Sequence, residues 1–157
     1  MRIRKSVCFL AAVVLLMTFA LCAGAEAIAV EDDSMFEQLM GVPFRGSSLN
    51  GGDVRMRVID GLIGETAYTS DGVQWTVRFT RNQGYASASN LTGIPEDEMS
   101  GALDLGANGL KMRQALFRGV DIYTWMIGKN FYCLTVSGPY GNEQLNTQLS
   151  RLMDACR

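Results

Sequence analysis

Three groups of side chains in this chain have types and spacings that could support chemistry. Glu96, Asp97 and Glu98 follow Pro95, and such an acid cluster could hold a divalent cation or act as paired acids. Acids at a helix start also complement the helix dipole and form a solvated face, a competing structural reading. Arg55 and Arg57 alternate with apolar residues, and Arg78 sits in a second alternating run. Three guanidinium groups on the outer face of one meander could receive an anionic ligand, although basic residues there also serve as edge guards. Cys133 and Cys156 are the third group. No histidine is present, which excludes His-based triads, His-ligated zinc proteases and Cys–His nucleophiles, since each needs an imidazole. Asp53, Asp60 and Asp71 match no calcium-loop spacing and read as turn residues. No metal-ligand cluster or nucleotide-binding loop names a reaction or a cofactor. Asn90-Leu91-Thr92 fits the glycosylation acceptor pattern, which matters only in a eukaryotic host.

The two cysteines can be tested by geometry. An extended chain from Cys133 to Gly138 covers about 17 Å, and a helix from Asn142 to Cys156 covers about 21 Å. A helix folding back along the strand would return Cys156 to the level of Cys133. A disulfide there would close a loop of about 22 residues and contribute roughly 3 kcal/mol. The alternative is that both are free, buried, apolar-like residues, because Tyr132, Leu134 and Val136 form the more apolar strand face and would leave Cys133 pointing away.

The compartment favours the disulfide. Arg2, Arg4 and Lys5 precede an uncharged apolar stretch from Val7 to Ala23, and Ala23-Gly24-Ala25 supplies small residues before Glu26. This is the arrangement of a cleaved export signal over residues 1–25, with an uncleaved anchor as the alternative. Cys8 and Cys22 leave with it. The 14 basic and 16 acidic residues become 11 and 16, a net charge of −5. That balance argues against nucleic acid as a partner. The expected molecule is exported, periplasmic or extracellular, without a stable membrane span after cleavage. Its partner is a protein or small ligand outside the cytoplasm.

Residues 26–33 read as a flexible lead and residues 34–157 as one domain. Ser34 and Glu37 stand at capping-box spacing ahead of an apolar stripe, and Gly41 supplies a stop, so a short helix spans Met35 to Met40. Val54, Met56 and Val58 alternate with Arg55 and Arg57; Val73, Trp75, Val77 and Phe79 alternate with polar residues. Asp71-Gly72 marks a tight hairpin turn after a strand at Glu65 to Ser70. Tyr85 to Ser89 reads as a short strand and Glu96 to about Leu105 as a helix. Strands follow at Leu110 to Phe117, Val120 to Ile127 and Asn130 to Ser137, joined by two-residue links. Tyr123 and Trp125 on one side, with Ile122 on the other, make the middle strand apolar on both faces and therefore central. Leu145, Leu149, Leu152 and Cys156 form one stripe of a final helix from Asn142 to Cys156.

Val54-Arg55-Met56-Arg57 resembles Leu110-Lys111-Met112-Arg113, and each opens a run of three strands after a candidate helix. Such matches arise easily by chance in alternating sequence; a real duplication would pair two halves about a pseudo-twofold axis, with a ligand cleft between them. The segment from Gly119 to Cys156 has a Gly before an apolar-aromatic strand, a tight turn, a Tyr-containing strand and an amphipathic helix. In this it resembles the C-terminal part of small bacterial extracytoplasmic DUF4367-like domains. That resemblance implies a twisted antiparallel sheet with a packed helix and a binding or sensing role, and it carries no catalytic residues. The expected fold is α+β: an antiparallel sheet of about six strands in two meanders, packed by the C-terminal helix and one or two short helices. The expected function is a non-enzymatic binding or accessory domain, with a small carboxylate enzyme or a subunit of a cell-envelope complex as alternatives.

Overall fold

In the computed structural model, residues 26–49, 52–107 and 110–157 are described, and the export signal expected at residues 1–25 lies outside them. The alternating segments form β2 (Gly52–Ile59), β3 (Ile63–Ser70), β4 (Val73–Thr80), β6 (Leu110–Phe117), β7 (Val120–Ile127) and β8 (Asn130–Ser137). Two further strands, β1 (Ala27–Ala29) and β5 (Ser100–Ala107), bring the sheet to eight. The order is β1-β2-β3-β4-β8-β7-β6-β5, every neighbour antiparallel. Helices α1 (Ser34–Met40), α2 (Ala88–Thr92) and α3 (Asn142–Ala155) pack against it, so the class is α+β.

Tight turns set the register. Asp71 and Gly72 both take positive φ (51° and 75°), the requirement of a two-residue turn whose twist matches its strands. Arg118 and Gly119 repeat this between β6 and β7 (48° and 81°).

The sheet has a core on each side. On the main-core face Val58, Tyr68, Trp75, Val77, Phe79, Met112, Tyr123, Trp125, Tyr132 and Leu134 meet Phe36 of α1, Phe44 and Leu149, Leu152 and Met153 of α3. Phe44 lies 4.5 Å from Phe79, ring centroid to centroid, and Phe36 meets both edge-on. The Arg45 N–H donates to the Ala155 carbonyl (2.9 Å), which ties the segment after α1 to the end of α3. On the opposite face a smaller core joins Leu91 of α2 to Ile122 and Cys133, with Ile63, Ile94, Met99, Phe117 and Phe131 packed around it. β7 is therefore central and covered on both sides where Ile122, Tyr123 and Trp125 lie.

Four expectations change. The lead at residues 26–33 carries β1, paired with β2. The strand expected at Tyr85–Ser89 is replaced by a turn of 3-10 helix at Gln83–Tyr85 and by α2, whose start is capped by the Ser87 hydroxyl accepting from the Asn90 N–H. The helix expected from Glu96 to Leu105 is one 3-10 turn at Glu96–Glu98 followed by β5, because Gly101 takes positive φ (67°) and Leu103 and Leu105 then alternate with Ala102 and Asp104. At α1 the capping oxygen belongs to Asp32, whose Oδ1 accepts from the Ser34 N–H and hydroxyl.

The strands also bear on the internal similarity. β4 and β8 pair at Arg78–Cys133, and from that pair β3, β2, β1 and β7, β6, β5 step outward in matching order. One row crosses the whole sheet: Ala29, Arg57, Glu65, Arg78, Cys133, Thr124, Arg113, Asp104. Arg57 and Arg113 occupy equivalent places. The helices do not follow this pseudo-twofold, since α1 packs on the main-core face whereas Ile94 and Met99 pack on the other. β4 bonds directly to β8, so the halves meet in a ladder and no cleft separates them there.

Candidate functional site

Among the described residues, all five basic residues carried by strands lie on the face opposite the main core. Arg55 and Arg57 of β2, Arg78 of β4, and Lys111 and Arg113 of β6 share one parity; Val54, Met56, Val77 and Met112 take the other side. On an acidic chain this is a segregated charge, and the three arginines of the sequence reading fall within it.

Its two flanks differ. On the β2–β4 flank Glu65 lies between two arginines: Arg57 Nε donates to Oε1 (2.7 Å) and Arg78 Nε to Oε2 (2.6 Å). Arg78 Nη1 also donates to the Leu91 carbonyl (2.8 Å), so α2 closes over the pair. Burial alone would raise the Glu65 pKa, but Arg78 and Arg57 together hold it below the ordinary carboxylate value. Arg57 and Arg78 are thus brought together but committed to an internal carboxylate, and Arg78 is buried. Arg55 stays exposed on the same face.

The β5–β7 flank is open. Lys111 and Arg113 are exposed, and neither has an ion-pair partner among the described residues. They border a concavity of about 690 Å³ with Asp104, Gly106, Thr124, Met126 and Phe131. Met126 is 47 % exposed there, a large apolar side chain left in solvent beside two cations. Such a surface can bind a carboxylate- or phosphate-bearing segment by ion pairing and cover its apolar part. Lys111 and Arg113 entered the sequence reading only as part of the internal similarity. Glu65 and Asp104 were missed: Asp104 lies in the segment whose sequence reads as a helix, and Glu65 reaches the arginines only through the registers of β2–β3 and β3–β4.

The cysteines do not pair. Cys133 packs with Ile122 and Leu91 on one face of the sheet, whereas Cys156 packs in the main core, so the sheet lies between them. This corrects the expected Cys133–Cys156 disulfide: Tyr132 and Leu134 face α3, and alternation turns Cys133 away. Burial pushes both thiols up to about 12, with Arg78 partly offsetting the effect at Cys133. The Cys156 thiol lies beside the Tyr132 hydroxyl and the Trp125 indole nitrogen, neither of which has a well-formed hydrogen bond.

On the main-core face a second polar cluster fixes the chain after β8. The Tyr140 hydroxyl donates to Asp121 Oδ2 (2.5 Å) and lies 2.9 Å from the Tyr123 hydroxyl; Gln114 Nε2 donates to Asp121 Oδ1 (2.9 Å) and to Tyr123 (3.1 Å). Both carboxylate oxygens of Asp121 are engaged, so the cluster reads as a clamp. Glu96, Asp97 and Glu98 lie exposed on their single turn, where Glu98 faces Arg118 at 3.5 Å. Among the described residues no three His, Cys, Asp or Glu side chains converge to hold a metal, and no helix is long and apolar enough to cross a membrane.

No family model, curated protein or solved structure gives a significant match to this chain.

Proposed function

We propose that this protein is an exported, non-enzymatic binding domain that receives an acidic segment of a partner on the open β5–β7 flank of its basic sheet face. The observation that carries the reading is the contrast between the flanks. Arg57 and Arg78 are neutralised by Glu65 and partly roofed by α2, whereas Lys111 and Arg113 stand without ion pairs among the described residues, beside a concavity that also exposes Met126 and Phe131. Charges segregated this way steer an oppositely charged partner and fix its orientation. The export-signal pattern at residues 1–25 supports a partner outside the cytoplasm, and the resemblance of the Gly119–Cys156 segment to DUF4367-like domains agrees with a binding role.

Calorimetric titration with a polyglutamate peptide tests the reading. Binding is expected to weaken as salt rises. It is also expected to be lost in Lys111→Glu/Arg113→Glu and retained in Arg55→Glu, which changes a cation on the far flank. Absence of binding, or equal loss in both variants, contradicts the proposal.

A further inference from the structure

The two edges of the sheet are unequal. β1 offers three residues, while β5 offers eight and, among the described residues, pairs only with β6. Natural edge strands are guarded by shortness, Lys, Pro or a covering element. β5 contains no Lys, Arg or Pro and one charge, Asp104. On its main-core side Leu103 is 56 % exposed and Leu116 of β6 is 42 % exposed, two large apolar side chains left in solvent.

We infer that β5 pairs with β5 of a second copy, antiparallel about a twofold axis, to make one continuous sheet. The charge pattern selects the register. Pairing Asp104 with the partner's Asp104 sets like charges opposite each other, which is destabilising. Centring on Leu103 brings Leu105 opposite the partner's Gly101, inside the bulged stretch between Ser100 and Leu103 where the ladder is irregular. Centring on Leu105 uses the regular part of the strand and places Asp104 opposite the partner's Gly106. Behind Gly106, in the same row, stands Lys111. A Cβ on Gly106 would meet nothing within 4 Å, so the space above it is open. The partner's Lys111 reaches across that gap to Asp104, and symmetry repeats the pair. On the other side the Leu103 and Leu105 side chains of both copies share one apolar strip. Because β1 is short, the pairing closes as an isologous dimer and does not propagate. The open flanks of the two copies then adjoin across the seam, with Lys111 engaged by the partner's Asp104 and Arg113 of each copy left as the cation that faces an acidic segment.

Sedimentation over a concentration series tests this without any ligand, so its outcome is separate from that of the peptide titration. A reversible monomer–dimer equilibrium is expected. Asp104→Lys and Lys111→Asp should each weaken it about tenfold or more, and the double exchange should restore it. Leu105→Cys, on the axis, should give a dimer linked by a disulfide under mild oxidation, because directly opposed cross-strand residues have Cα separations that suit the bond; Leu103→Cys should not. A protein monomeric at all concentrations, a dimer indifferent to the charge exchange, or equal crosslinking at both positions overturns the inference.

Discussion

Replacing Glu65 by Gln tests the charged row inside the sheet. Glu65 is 5 % exposed and Arg78 8 %, while the Arg57 side chain keeps 27 % of its surface in solvent. Removing the carboxylate leaves Arg78 buried without its counter-charge, and breaking a buried pair from one side costs about 3–5 kcal/mol. Arg57 can rehydrate, so Arg57→Ala should cost only about 1 kcal/mol. Glu65→Leu/Arg78→Met removes both buried charges and should recover much of the loss. Urea unfolding followed by circular dichroism measures these differences. At a slope of about 2 kcal/mol/M, Glu65→Gln lowers the midpoint by about 2 M. The pH dependence adds a second reading. The folded-state pKa of Glu65 lies below its ordinary value of 4.5, so its contribution is complete above that pH and disappears as pH falls through the lower folded value. The gap between wild type and Glu65→Gln should therefore close in acid. A midpoint shift no larger than that of Arg57→Ala, or a gap that persists in strong acid, refutes this reasoning.

Three further outcomes follow from packing and bonding. Cys133 and Cys156 should resist alkylation in the folded protein and react fully in urea without prior reduction; a mass change on reduction would restore the disulfide. Gly64→Ala should destabilise by about 1–3 kcal/mol in thermal melts, since an added Cβ would stand 2.3 Å from the Phe79 ring; an unchanged melting temperature contradicts that packing. Tyr140→Phe removes the hydroxyl that donates to Asp121 and should cost about 1 kcal/mol in urea unfolding; an unaltered midpoint would mean that the clamp contributes nothing.

Much of the sheet was legible because alternation and turn chemistry are local. Leu110 to Ser137 announces three strands through its two-residue links, and Leu145, Leu149 and Leu152 announce α3. β5 was hidden because Pro95 and three acids imitate a helix start, while the positive φ of Gly101 that ends the helical option is a backbone property. β1 is too short to show a period and exists through its pairing with β2. The disulfide failed on one parity step. The apolar run Tyr132, Leu134, Val136 already turned Cys133 away from α3, but the export context outweighed it. The site was legible as residue types and not as a place. Arg57 and Arg78 were visible, but that Glu65 would sit between them depends on two strand registers. That Lys111 and Arg113 would be left open depends on where α2 and the segment after it settle.

The central claim, that an acidic segment docks on the open flank, is tested most directly by mapping backbone amide shifts of the labelled protein during titration with polyglutamate. Shifts concentrated on β5–β7 around Lys111, Arg113, Thr124 and Met126, and abolished in Lys111→Glu/Arg113→Glu, are the predicted result. Shifts centred on Arg55 and the β2–β4 flank, or none at saturating peptide, would contradict it.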